Sequence, residues 1–314
     1  MTLRHLTRCG RGRLQASPLS CNIVNTTKIF RHFMRREGLL KNHGMLPTGH
    51  TWRLIFVVAL LFIPAVGFAT PPPGSSSEDQ GEYIFITQDD MDLGYRDAKA
   101  TMSMILLNAA GQESRRKMLT QFLEVPDNGD KTLITFQYPR DIKGTGLLTF
   151  EHIKTTDDQW LYLPALKRFK RIASKNKSGS FVGSEFSYED ISSNKPAKYA
   201  YKYLREDAHN GFPVWVVERY PKDPSSGYTK IVSWVDQSNY QTVKQEYFDR
   251  KGAPLKVEYV RGHIRYLEKF WRPNEITMEN LQTKKKTILS FEDWAFQQGL
   301  KVSLFTKRSL ERQR

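Results

Sequence analysis

The side chains whose types and spacing invite chemistry crowd between Asp157 and Asp190, DDQWLYLPALKRFKRIASKNKSGSFVGSEFSYED. Strand alternation turns Trp160 and Tyr162 one way and Leu161 and Leu163 the other. Lys167, Arg168, Lys170 and Arg171 then surround Phe169, and a Gly/Ser loop leads into an aromatic and acidic run. No nucleophile stands beside a base here, and no ligand spacing would close round a metal. The chemistry on offer is binding. Trp160, Leu161, Tyr162, Leu163, Phe169, Phe181, Phe186 and Tyr188 are candidates for lining an apolar cavity or its mouth. Arg168 and Arg171 are candidates for an acidic head group or partner. Each has a plainer alternative. Strand aromatics serve as ordinary core. The basic cluster serves as a solvated face, or pairs with Glu185, Glu189 and Asp190 in exposed ion pairs of little worth. The loop Ser178–Ser184 is either a flap over a cavity mouth or a connector.

Other reactive patterns are missing. SGSFVGS has neither the spacing nor the following Lys-Ser/Thr of a phosphate loop. After residue 69 the histidines are His152, His209 and His263, with no HExxH and no close ligand pair. No GxSxG elbow is present, and no carboxylate pair stands out as acid and base. Asp89, Asp90 and Asp92 suggest calcium, but no EF-hand spacing follows, and helix capping explains them. The two cysteines, Cys9 and Cys21, both precede residue 70. No enzyme activity, cofactor or metal is expected.

The formal net charge is +15. Residues 1–69 hold ten Lys/Arg and one acid, leaving 38 basic and 32 acidic residues, or +6, in 70–314. Nucleic-acid binding loses its main support on that subtraction. Leu54–Phe68 is an apolar run too short for a spanning helix of about 20 residues. With Arg53 before it and Gly67-Phe68-Ala69 after it, 45–69 reads as a signal peptide. Residues 1–44 then read as a misassigned extension upstream of Met45. A retained anchor and an Arg-rich transit peptide are the alternatives. No cysteine follows the run, so no lipid anchor is expected. Residues 70–88, which open TPPPGSSSEDQG, read as a flexible linker, and 89–314 as one domain.

That domain must position the binding residues mostly with strands. Period-2 alternation and turn signals recur from Thr101 to Phe291, giving about ten strands. Helices are expected only at 89–99 and 291–299. The fold class is mainly β, a curved antiparallel sheet. Such a sheet buries one face only if something fills its concave side. Alternation leaves open whether that is a ligand cavity or a packed core.

WLYLPALKRFKRI followed by SFVGSEFSYEDI resembles the bacterial outer-membrane lipoprotein-sorting proteins, the LolA/LolB-like group associated with RND-type exporters. Met104–Gly111 with Arg116, FQYPRDIKGTGLL at 136–148 and FTKRSLER at 305–312 are similar to that group as well, so the resemblance spans about 90–314. It implies an incomplete β-barrel with a small helical lid that holds acyl chains in its concave interior. It further implies a periplasmic carrier for a lipid or acylated lipoprotein, with an RND-type transporter or outer-membrane acceptor as partner. The alternative is a non-carrier adaptor subunit with a filled core, docking through Lys167–Arg171. The protein is expected to be monomeric and at most peripheral to the membrane.

Overall fold

The computed structural model describes residues 76–126 and 128–312. The upstream extension, the signal peptide and residues 70–75 of the linker lie outside them.

Alternation builds the sheet. In β1 (Asp97–Leu107), Ala98, Ala100, Met102 and Met104 are buried on one face, and Lys99, Thr101 and Ser103 take the other. The chain then meanders through β2 (Glu113–Leu123), β3 (Lys131–Tyr138), β4 (Gly146–Phe150), β5 (Asp158–Leu163) and β6 (Arg168–Ile172), each antiparallel to its predecessor. Residues 173–198 carry no strand of the main sheet. The meander resumes with β7 (Tyr199–His209), β8 (Phe212–Pro221), β9 (Tyr228–Asp236), β10 (Thr242–Asp249) and β11 (Pro254–Arg261). A separate hairpin, β12 (Ile264–Tyr266) and β13 (Phe270–Arg272), precedes β14 (Glu275–Asn280) and β15 (Lys286–Phe296). β15 pairs with β1, which completes a 13-stranded sheet among the described residues with β6 and β7 as its edges. The edges are consecutive in the chain and opposite in the sheet, so 173–198 must cross between them.

Side chains from both edges and the middle meet in one cluster: Ile172 of β6, Tyr199 and Tyr201 of β7, and Met102 and Met104 of β1. A flat sheet could not bring them together. The sheet therefore curls round this cluster without closing, and the expected mainly β half-barrel is observed.

The helical lid lies elsewhere than expected. Residues 77–88, expected in the linker, belong to α1 (Ser77–Asp92), which opens with a capping box between Ser76 and Asp79. Ile84 and Phe85 of α1 are buried on the concave face, and Phe85 stacks on Tyr201 at 5.2 Å. Tyr83-Ile-Phe-Ile86 has no 3.6-residue period, which hid the helix. Its support is the groove. A Cβ on Gly81 would stand 2.9 Å from Tyr201 Cβ, so the missing side chain admits this close approach. The helix expected at 89–99 ends at Asp92, and β1 follows. The helix expected at 291–299 is the far end of β15, whose Phe291, Trp294 and Phe296 stack along the sheet. Within the stretch of expected strands, residues 264–272 leave the main sheet and form the separate β12–β13 hairpin.

The opposite face of β3–β5 carries Leu133, Leu148 and Tyr162, covered by Phe305 and Leu310 of a C-terminal segment that ends in α2 (Lys307–Arg312). No described helix is long and apolar enough to cross a membrane.

Candidate functional site

The sheet separates the sequence-derived candidates. Leu161 and Leu163 face the concave cluster, with Phe181, Phe186 and Tyr188. Those three aromatics act as filling. Phe181 is fully buried and lies 5.9 Å from the Phe136 ring and 5.8 Å from the Tyr188 ring. Trp160, Tyr162 and Phe169 lie on the convex face with the C-terminal segment. Tyr162 packs on Phe169 at 4.8 Å, and the Lys307 ammonium sits 4.5 Å from the Trp160 ring. The eight therefore form no single pocket.

Arg168 is exposed, and Arg171 pairs with Asp158 at 2.6 Å. The acids of the following run have other partners: Asp190 holds Lys256, Glu189 accepts from Gly227 N–H at 2.9 Å, and Glu185 accepts from Asn280 at 2.7 Å. Residues 173–198 form a plug. Arg116 donates to the Val182 carbonyl, and Thr287 Oγ1 accepts from Glu185 N–H at 3.0 Å.

Beneath the C-terminal half of α1 lies a cavity of about 460 Å³, inside the usual range for small-molecule sites. One wall is aromatic and aliphatic: Trp294 stacks between Phe122 at 5.7 Å and Phe291 at 5.8 Å, beside Ile276 and Val260. A second wall carries Phe85, Arg219, Gln241, Thr242 and Gln245. A third part of the lining is ionic. Asp89 pairs with Lys195 at 2.9 Å, and Asp92 with Arg272 at 2.5 Å. These pairs tie the helix to the plug and to the β12–β13 hairpin. The Arg272 guanidinium also lies 5.5 Å from the rings of Tyr95, Trp294 and Phe296.

Burial governs three acids of this cavity, Asp92, Asp130 and Glu151. It raises Asp92 despite Arg272, and raises Asp130 despite hydrogen bonds from Val125 N–H at 3.0 Å and Tyr95 Oη at 3.1 Å. The Glu151 carboxyl is pushed up to about 8 by burial first, then by the charges of Asp130 and Asp157. Burial also lowers His263, which favours a neutral imidazole.

The concave floor is more polar than the apolar interior implied by the motifs. Arg219 Nε donates to Ser233 Oγ at 3.1 Å, and its Nη2 donates to Gln245 Oε1. Gln245 Nε2 donates to Glu258 at 2.9 Å, and Tyr247 Oη to the same carboxylate at 2.8 Å. Lys256 pairs with Asp190, which also accepts from Tyr228 Oη at 2.7 Å. Sequence reasoning missed these residues, although a signal existed. Arg219 shares strand parity with the buried Trp215 and Val217, so alternation puts a charge on an apolar face.

Comparison with known proteins adds family context. A family model described as "Uncharacterized protein" matches residues 128–312. A solved structure described as a candidate outer membrane lipoprotein-sorting protein domain, from Vibrio parahaemolyticus, is 47% identical, with a TM-score of 0.73 over 75% of this chain and 100% of that one. A DUF1329 family protein from Desulfovibrio piger shares the fold at 23% identity and TM-score 0.72, over 75% of this chain and 100% of that one. A LolA superfamily protein from Nitrosomonas europaea does so at 21% identity and TM-score 0.59, over 73% and 98%. No curated protein matches.

Proposed function

Because this chain belongs to the LolA-like family of outer-membrane lipoprotein-sorting proteins, we propose that it is an exported, periplasmic carrier. It binds a lipid or a lipid-modified protein and passes it to a membrane partner, either an RND-type transporter or an outer-membrane acceptor. The observation that carries this reading is the cavity of about 460 Å³ between α1 and the curled sheet, with its stacked aromatic wall. Burial of an acyl chain is worth about 0.8 kcal/mol per methylene, so even a short hydrophobe gains from leaving water. A carrier must also release its load. The ion pairs Asp89–Lys195 and Asp92–Arg272 fasten the C-terminal half of the cavity roof, beyond the buried Ile84 and Phe85, by polar contacts. The role requires no covalent step.

The test is native mass spectrometry with lipid extraction on the exported protein, purified without detergent. A bound lipid or acylated peptide is expected. Val260→Trp, which fills the cavity from β11, should remain folded and lose most of it. A mature mass beginning at Thr70 would accompany export through the signal peptide. A reproducibly empty protein that takes up no fluorescent fatty acid would sink the carrier reading. It would favour the adaptor alternative, a subunit docking through Lys167–Arg171, for which the concave packing of Phe181, Phe186 and Tyr188 speaks.

A further inference from the structure

Arg219 is 2% exposed, yet it lines the cavity. Its guanidinium lies between the ring of Phe85 on α1, at 4.8 Å, and that of Tyr199 on β7, at 5.0 Å. Two of its five N–H donors are used, one by Ser233 and one by Gln245. Nη1 has no partner among the described residues. Nor does a carboxylate pair with Arg219 there. Glu258 is reached only through the Gln245 amide, while Asp89 and Asp92 are held by Lys195 and Arg272. A buried cation without a counter-ion destabilises a fold, and the two ring contacts offset only part of that. A chain that retains such a group beside a cavity has left room for the missing anion.

We infer that Arg219 is the recognition group for an oxyanion, the carboxylate or phosphate of an acidic amphiphile whose chain lies against the Phe122–Trp294–Phe291 wall. This rests on the cavity being the carrier's binding site and names the class of load. The guanidinium is always charged, its donors are set in a rigid plane, and the side chain is buried, so one charge-assisted contact discriminates strongly. The acids on the ionic wall do not cancel it. Asp89 and Asp92 are paired with Lys195 and Arg272, Asp130 accepts from Tyr95 Oη and Val125 N–H, and burial disfavours the charged form of Glu151.

Three probes of equal chain length test this on the full exported protein: dodecyl phosphate, dodecanoate and dodecanol, each titrated by displacement of a fluorescent fatty acid. At least one acidic probe is expected to bind about 10- to 100-fold tighter than dodecanol, the range for a hydrogen bond to a charged group. The tighter of the two identifies a phospholipid-type or a fatty-acid-type load. In Arg219→Gln the acidic probes should fall to the affinity of dodecanol, whereas Arg219→Lys should keep part of the preference. If Arg219→Gln fails to fold by circular dichroism, Arg219→Lys decides: Lys195, Lys269 and Arg272 also line the cavity, so an acid preference unchanged from wild type in Arg219→Lys overturns the inference. Dodecanol binding as tightly as both acids, or a preference that survives in a folded Arg219→Gln, overturns the inference and leaves the carrier reading standing. Failure of all three probes to bind overturns both.

Discussion

Glu151 keeps its proton where most glutamates have lost theirs. Its carboxyl titrates at about 8 in the folded protein, against 4.5 ordinarily, because burial and the charges of Asp130 and Asp157 disfavour ionisation. Between those values the native state holds a proton that the unfolded chain has released. This group therefore lowers stability as pH rises from 4.5 to about 8, and its effect levels off above that. Glu151→Gln removes the penalty. The variant should melt several degrees above wild type near pH 8, and the gap should close toward pH 4.5. A gap of the same size at both ends would show that Glu151 is not the titrating group. Arg219 is the complementary case, a charge the fold cannot neutralise by titration.

Among the elements, α1 shows how tertiary fit overrides local preference. Gly81→Ala improves intrinsic helix propensity by about 1 kcal/mol. The new Cβ would meet Tyr201 Cβ at 2.9 Å and Val217 Cγ1 at 3.1 Å, both in the packed concave wall. Overpacking of this kind costs about 1–3 kcal/mol. Urea denaturation of Gly81→Ala should therefore show net destabilisation, and a stabilised variant would mean that α1 floats free of the sheet. At the sheet edge, β6 offers a second reading for the basic cluster. Arg168, Lys170 and Arg171 are exposed on an edge strand, where charge discourages pairing with another chain.

At the scale of the molecule, the two largest of the three buried clusters among the described residues lie on opposite faces of the sheet. The concave one is filled by the plug and α1, and the convex one is capped by 297–312. Phe181→Ala and Phe305→Ala each empty a fully buried ring site and should cost about 3–5 kcal/mol. The two rings belong to different clusters on opposite faces, so the double variant should be additive within about 0.5 kcal/mol. Coupling well beyond that in chemical denaturation would mean that the two faces form one cooperative core.

Alternation was legible in the sequence because it is local. It placed Trp160 and Tyr162 opposite Leu161 and Leu163, located most strands, and exposed the motifs that indicated the family. The tertiary structure alone decided the rest. Which strands become edges, that 173–198 must cross between them, and that Phe181, Phe186 and Tyr188 therefore fill the concave face all depend on pairings distant in sequence. The α1 helix exists as a lid because Gly81 fits a groove built by β7 and β8. The cavity joins residues from Phe85 to Trp294, and Arg219 sits on it without a counter-ion only because the sheet curls. Periodicity records which face a side chain takes. Curvature determines what it meets there.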